Sequence, residues 1–131
     1  MSESHRNLIV WQKAMDLVTV VYRDTSAFPS SEIYGLTSQL RRAAAAVPSD
    51  IAEGKGRLSK REYVQFLSKA RGSLYEVETQ LEISRNLGYL TQDHFESLVD
   101  SCSEIGRMLN GLIRAVRGQL AASLRDYAPA T

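Results

Sequence analysis

The sequence predicts an all-α protein, an up-down-up-down antiparallel four-helix bundle. Apolar residues recur at three- and four-residue steps in four long segments, which is the spacing of an amphipathic helix. Short breaks that contain proline or glycine separate these segments. No β-strand pattern, internal repeat or low-complexity tract competes with the helices in this sequence. Amphipathic helices joined by short links pack as antiparallel neighbours around one core.

The first helix is predicted over residues 8–25, with Asn7 as its N-terminal cap. Trp11 lies beside the apolar stripe and is expected to pack at its edge. Pro29 lacks an amide donor and disfavours a helical Phe28, so it marks the first break. The predicted apolar face consists of Val10, Ala14, Leu17, Val18, Val21 and Tyr22.

The second helix is predicted over residues 32–54, beginning after Ser30 or Ser31. Its core stripe is Leu36, Leu40, Ala43, Ala44, Val47 and Ile51. Its other face carries mostly small residues: Ser38, Arg42, Ala45, Ala46, Ser49 and Glu53. Small residues let another backbone approach, so we favour two packing partners for this helix over a solvent face that happens to carry few charges.

Pro48 falls inside the second helix, where it would kink or restart the helix. The apolar pattern keeps its phase across the proline, which favours one kinked helix over two separate helices. Gly54 and Gly56 are expected to end the helix, because glycine readily adopts the left-handed conformation of a C-terminal cap.

The third helix is predicted to begin at a capping box, Ser59 to Glu62, and to end at Gly88. Its heptad-like seam is Tyr63, Leu67, Ala70, Leu74, Val77, Leu81 and Ser84. The fourth helix follows a short link and should close at Gly118. Its predicted seam is Phe95, Leu98, Cys102, Ile105, Leu109, Leu112 and Val116. We therefore expect a four-helix bundle over residues 1–118 and a frayed or disordered C-terminal tail over 119–131.

Composition is that of an ordinary globular domain. Its 131 residues are enough for one core, and the charged fraction of 24% and hydrophobic fraction of 44% are typical of globular proteins. Cys102 is the single cysteine, and its spacing from Leu98 and Leu109 indicates a small core residue in a reducing compartment rather than a nucleophile. No signal segment and no apolar run near the ~18 residues of a membrane span are present, so we expect a soluble cytoplasmic protein without a membrane partner.

The sequence lacks the motifs of the common enzyme classes. Di-iron bundles need Glu-x-x-His, but neither His5 nor His94 follows a glutamate by three residues. The Gly-Lys-Gly-Arg run at 54–57 lacks the G-x-x-x-x-G-K-[ST] frame of a phosphate loop and is more simply a helix cap followed by a basic turn. We predict a non-enzymatic protein with no cofactor and no metal site.

Charge is polarised along the sequence although the net charge is only +1. Residues 41–71 hold eight basic and three acidic residues, a net charge of +5. Residues 72–104 hold one basic and seven acidic residues, a net charge of −6. Such asymmetry predicts either a polyanion-binding patch or basic and acidic surfaces that meet between subunits.

Five segments of the sequence resemble a known family. They are LIVWQKAMDL (8–17), FP (28–29), YGLTSQLRRA (34–43), IAEG (51–54) and ARGSLYE (70–76). In this order they resemble the small bacterial four-helix bundle family known from proteins encoded in intervening sequences of 23S ribosomal RNA. The resemblance extends over residues 8–116.

The resemblance implies a bundle that assembles as a ring-like homopentamer and binds nucleic acid. The accessory variability proteins of diversity-generating retroelements look like relatives, which implies RNA and a reverse transcriptase as partners. Matching positions are Gln39, Arg42, Glu53, Gly54, Arg57, Arg71, Gly72, Ser73 and Glu76. Asp50 and Lys55 depart from the family pattern around IAEG, and the negative charge of Asp50 opposes a phosphate contact at that point.

Two functions remain open. The first is an RNA- or DNA-binding oligomer that uses Arg42, Lys55, Arg57, Lys60, Arg61 and Arg71. The second is a structural or protein-interaction oligomer without a nucleic-acid role, whose basic surface pairs with Glu76, Glu78 or Glu82 of a neighbour. Tyr63 and Phe66 are the only aromatic residues among the basic ones before Arg71, and both lie on or beside the core stripe, so backbone electrostatics rather than base stacking would supply the binding.

Subunit contacts are predicted on helices two and three. Gly72 in a helix interior is about 1 kcal/mol less favourable than alanine, and close approach of another chain would compensate for that loss. The predicted contact residues are Ser38, Ala45, Ala46 and Ser49 of helix two, and Gln65, Ser68, Gly72 and Thr79 of helix three.

Overall fold

A computed structural model of the chain describes residues 4–126, and it contains four α-helices. They are α1 (Ile9–Thr25), α2 (Leu36–Lys55), α3 (Lys60–Asn86) and α4 (Gln92–Asp126). Short 3₁₀ turns at His5–Asn7 and Ser30–Glu32 precede α1 and α2, and no strand occurs between residues 4 and 126. The predicted all-α four-helix bundle is confirmed.

The helices form a closed ring of neighbours around one core. α2 packs between α1 and α3, and α4 packs between α3 and α1. The Lys13–Glu104 ion pair at 2.9 Å and the contact of His94 Nδ1 with Asp24 Oδ1 at 3.9 Å show that α1 and α4 run in opposite directions. The predicted seam of α3 is buried from Leu67 to Ser84, and the buried Ser84 hydroxyl donates to the Gln80 carbonyl at 2.7 Å.

The N-terminal ends of α1 and α2 differ from the prediction. Asn7 ends a 3₁₀ turn and does not cap α1: the N-cap position of α1 is Leu8, which makes no side-chain hydrogen bond, and the Ser4 hydroxyl caps the 3₁₀ turn by accepting from the Arg6 amide at 3.2 Å. Glu32 lies before α2 rather than within it, since its carboxylate accepts from the Leu36 amide at 3.2 Å and from the Tyr89 hydroxyl at 3.0 Å. The backbone of Gly35, with φ −111° and ψ −115°, is not helical and separates the turn at Ser30–Glu32 from α2.

The C-terminal part of α2 differs from the prediction in the role of its glycines. α2 continues through the buried Pro48 without losing its phase. Gly56 has a φ of −80° rather than a left-handed value, and within residues 4–126 only Gly88 has a positive φ. Gly54 is buried instead, and a Cβ there would lie 2.8 Å from Phe66 Cβ and 3.0 Å from Tyr63 Cδ1. Its glycine therefore permits a close crossing of α2 and α3.

The predicted end of α4 at Gly118 is wrong, because the helix runs on to Asp126. Gly118 does not have a positive φ, so it does not adopt the left-handed conformation of a C-terminal cap. Ile113 joins the buried residues of α4, and Leu112 is only partly buried. Residues 127–131 of the predicted tail lie outside the described residues.

Tyr22 is exposed, although the sequence predicts it on the apolar face of α1, and Thr25 is buried. Arg41 of α2 explains both positions. Its guanidinium lies 4.7 Å from the centre of the Tyr22 ring and donates from Nε to Thr25 Oγ1 at 2.9 Å. Its Nη2 also donates to the Tyr22 carbonyl at 3.3 Å, so Arg41 satisfies the C-terminal end of α1.

Cys102 should be unreactive in the native protein. The side chain is fully buried, and burial together with the nearby Glu78 charge raises the pKa of the thiol to about 12. At pH 8 only about one thiol in 10⁴ would be ionised, and the thiolate is the reactive form. We expect no labelling by a thiol reagent before denaturation and one label per chain afterwards. Labelling of the native protein at the rate of a free cysteine would contradict this prediction.

Candidate nucleic-acid interface

The connection between α2 and α3 gathers four cations at one end of the bundle. Lys55 is the last residue of α2, Arg57 lies in the turn, and Lys60 and Arg61 begin α3. Ser59 fixes this helix start, because its hydroxyl accepts from the Glu62 amide at 3.3 Å as the capping box predicts. We call Lys55, Arg57, Lys60 and Arg61 the turn cluster.

Two aromatic rings of α3 support cations on its α2 side. The Arg57 guanidinium lies 4.7 Å from the centre of the Phe66 ring, and Lys69 Nζ lies 5.2 Å from the same centre. Lys55 Nζ lies 5.9 Å from the centre of the Tyr63 ring. These separations are within reach of cation–π attraction. The two rings, which are partly buried, therefore position charges and offer little free surface on which a base could stack.

The turn cluster has no ion-pair partner within the part of the chain that the structure describes. The ion pairs there are Lys13–Glu104 and the histidine pair of His94 with Asp24. Lys60 and Arg61 are exposed, and so is Leu58, whose side chain is fully exposed between them and Arg57. The exposed Glu53 and Glu62 lie nearby, but the four cations outnumber them, so this end of the bundle carries a net positive charge.

The other two predicted binding residues lie elsewhere. Arg42 precedes Lys55 by thirteen residues on α2, a separation of roughly 20 Å along the helix, and donates to Ser38 Oγ at 3.4 Å. Arg71 is partly buried between α3 and α4, where its Nη1 donates to Asn110 Oδ1 at 3.0 Å. The six predicted binding residues therefore occupy three separate places.

Lys69 was missed as a site residue, although its i, i+3 spacing from Phe66 could have indicated the contact. It also bears on Asp50, the acidic departure from the family pattern. Burial raises the pKa of the Asp50 carboxyl, the Lys69 charge acts in the opposite direction, and Glu53 raises it further. The negative charge of Asp50 is thus opposed locally by a basic residue of α3.

The predicted subunit contacts divide between two faces of the bundle. Ala45 and Ser49 line a groove of about 350 Å³ between α1 and α2, where Trp11 and Pro48 are further lining residues. Gly72 and Thr79 line another groove of about 350 Å³ on the α2–α3 side, together with the exposed Tyr75 and Ile83. Ser38 lines a groove beside Arg41, and Ala46 lines a groove beside Arg42 and Glu76. Gln65 is exposed, and Ser68 is partly buried.

The hydroxyl groups on these faces bond to their own helices. Ser49 Oγ donates to the Ala45 carbonyl at 2.8 Å, and Thr79 Oγ1 donates to the Tyr75 carbonyl at 2.9 Å. Each hydroxyl is therefore satisfied without water or a partner. Both faces are less polar than their sequence suggests.

Neither a metal site nor a membrane-spanning helix is found among residues 4–126. No group of three or more His, Cys, Asp or Glu side chains in this range is arranged to hold a metal ion. None of the helices in the described range combines the length and the apolar character needed to cross a membrane.

Comparison with known proteins gives the fold and the family. A solved structure from Bacteroides thetaiotaomicron, described as a protein with unknown function from the S23 ribosomal protein family, superposes with a TM-score of 0.74. The two chains are 20% identical, and the match covers 81% of this chain and 96% of the other, so this similarity supports the fold. No curated protein matches this sequence. The family model for 23S rRNA-intervening sequence proteins matches residues 6–111, and the chain belongs to that family.

Proposed function

We propose that this protein is a non-enzymatic oligomer that binds RNA or single-stranded DNA through its turn cluster. The observation that carries the proposal is a concentration of four cations at one end of the bundle, without an ion-pair partner among residues 4–126. RNA is the first ligand to test, because the family resemblance implies nucleic-acid binding.

Binding would depend on phosphate neutralisation and counterion release. Lysine and arginine that replace condensed counterions make affinity fall linearly with salt on a log–log scale, with a slope of about 0.7 for each phosphate contact on a single strand. Phe66 and Tyr63 already lie under cations, so direct stacking on bases would contribute little. We therefore expect weak, sequence-tolerant binding.

Assembly is the second part of the proposal. A homopentameric ring, the form that the family resemblance implies, would repeat the turn cluster five times. The exposed strip of Gly72, Tyr75, Thr79 and Ile83 supports a subunit contact on α3. Light scattering at micromolar concentration measures the mass. A particle of 14.6 kDa, the mass of one chain, would contradict assembly.

Reversal of the turn cluster tests the binding surface. In the variant K55E/R57E/K60E/R61E we expect loss of binding to a fluorescent oligouridylate, measured by anisotropy at low salt, with the oligomer mass unchanged. R57E and R23E form a matched pair of single reversals, because Arg23 is exposed on α1 at the opposite end of the bundle. R57E should weaken binding and R23E should not. No binding by the unmodified protein, or equal effects of the two reversals, would reject the proposal.

The alternative function is a structural or protein-interaction oligomer. Glu76 and Glu82 of α3 are exposed and have no ion-pair partner within residues 4–126, so they could meet the turn cluster of a neighbouring copy. This arrangement predicts that the quadruple reversal dissociates the oligomer. Dissociation together with no nucleic-acid binding by the unmodified protein would favour the alternative.

A further inference from the structure

The last turns of α4 form a basic segment that was not assigned to any site. Between Ile105 and Arg125 the sequence has four arginines and no aspartate or glutamate. Arg114 and Arg117 are exposed, and neither takes part in the ion pairs of residues 4–126. Because α4 does not end at Gly118, Arg117 lies within a continuous helix rather than at a fraying end.

A hydrogen bond between α3 and α4 indicates the register of the two helices. Arg71 Nη1 donates to Asn110 Oδ1 at 3.0 Å. Arg117 follows Asn110 by seven residues, which is about two helical turns, so it lies on the α3-facing flank of α4. Lys60 precedes Arg71 by eleven residues, about three turns, so it lies on the α4-facing flank of α3.

The same register places these charges at similar heights. The two helices are antiparallel, and each residue rises about 1.5 Å, so Arg117 is level with residue 64 of α3. Lys60 is four residues, or roughly 6 Å, from that level. Arg114 precedes Arg117 by about one turn and is level with residue 67 of α3. Cations therefore flank the first turns of α3 on both sides, with Lys55 and Arg57 on the α2 side and Arg114 and Arg117 on the α4 side.

We propose that the nucleic-acid surface continues from the turn cluster over Lys60 to Arg114 and Arg117, so that one strand crosses the first turns of α3. This inference rests on the proposed function and extends its site to α4. Glu62, the acidic residue in the first turn of α3, is two residues from Lys60, about 200° around the helix, and so lies away from the α4 flank. The α4 side of α3 thus carries no acidic residue at this end, which favours contact with a phosphate backbone.

The double variant R114Q/R117Q tests this inference by its salt dependence. Loss of two phosphate contacts should lower the slope of log affinity against log salt by about 1.4 for an oligouridylate. The affinity at about 0.1 M salt should fall about 25-fold. The single variants R117Q and R23Q form a matched pair, with R23Q as the control, since each removes one exposed arginine. R117Q should lower the slope by about 0.7, and R23Q should leave it unchanged.

The outcomes separate this inference from the proposed function. If the unmodified protein binds, the turn-cluster reversal abolishes binding and R114Q/R117Q keeps the original slope, then the extension to α4 is wrong and the proposed function stands. If the unmodified protein does not bind at low salt, both fail. If R114Q/R117Q lowers the oligomer mass, the two arginines are subunit contacts, and the extension is overturned.

Discussion

The substitution Gly54→Ala is expected to lower the free energy of unfolding by about 1–3 kcal/mol, the range for overpacking a filled core. A Cβ at this position would lie 2.8 Å from Phe66 Cβ and 3.3 Å from the Tyr63 carbonyl oxygen. Neither of these atoms is the end of a flexible side chain, so α2 and α3 would have to separate. Urea denaturation at fixed protein concentration measures the change.

The matched control is Gly72→Ala, the same change at an exposed helical glycine. A Cβ at Gly72 would meet no atom within 4 Å in the single chain. Alanine should therefore stabilise α3, by up to about 1 kcal/mol. Equal effects of the two substitutions would show that the close crossing at Gly54 is not the cause. If the exposed strip of Gly72, Tyr75, Thr79 and Ile83 is a subunit contact, Gly72→Ala should also reduce the fraction of assembled protein.

Leu81→Ala should produce a larger loss, about 2–5 kcal/mol, because it removes buried methyl groups and leaves a cavity. Leu81 is 0% exposed and lies in the seam of α3. For a domain of this size, each kcal/mol corresponds to roughly 4 °C in Tm. Thermal unfolding followed by circular dichroism therefore measures the effect.

Leu58→Ala provides the control for Leu81→Ala. Leu58 is 105% exposed in the α2–α3 turn, so its truncation removes no packing in the single chain. Its stability should change by less than about 0.5 kcal/mol. A loss comparable to that of Leu81→Ala would mean that another copy covers Leu58, and the loss would then depend on protein concentration.

Periodicity was sufficient to predict the bundle and its core, but it did not give the helix ends. The apolar stripe of α3 was correct from Leu67 to Ser84 because burial alone selects that spacing. The start of α2 was wrong because the carboxylate of Glu32 binds the Leu36 amide and the Tyr89 hydroxyl. Tyr89 is distant in sequence, so no local pattern reveals this contact.

The candidate site was predictable where it is local. The turn cluster spans residues 55–61, and a short turn brings such residues together in any bundle. The positions of Arg42 and Arg71 depend on packing, and the hydrogen bond from Arg71 to Asn110 joins two helices. Arg114 and Arg117 were missed for the same reason, because only the register of α3 against α4 brings them near Lys60.

The close crossing at Gly54 also affects how much disorder the site must lose on binding. α2 and α3 are held together one residue before Lys55, and Arg57 and Lys55 lie over rings of α3. Immobilising a long side chain at an interface opposes binding by about 0.5–1.5 kcal/mol. For these two residues part of that loss already occurs on folding. The cations on the α2 side of α3 are thus preorganised for a polyanion, and the core packing beneath them contributes to affinity without contacting the ligand.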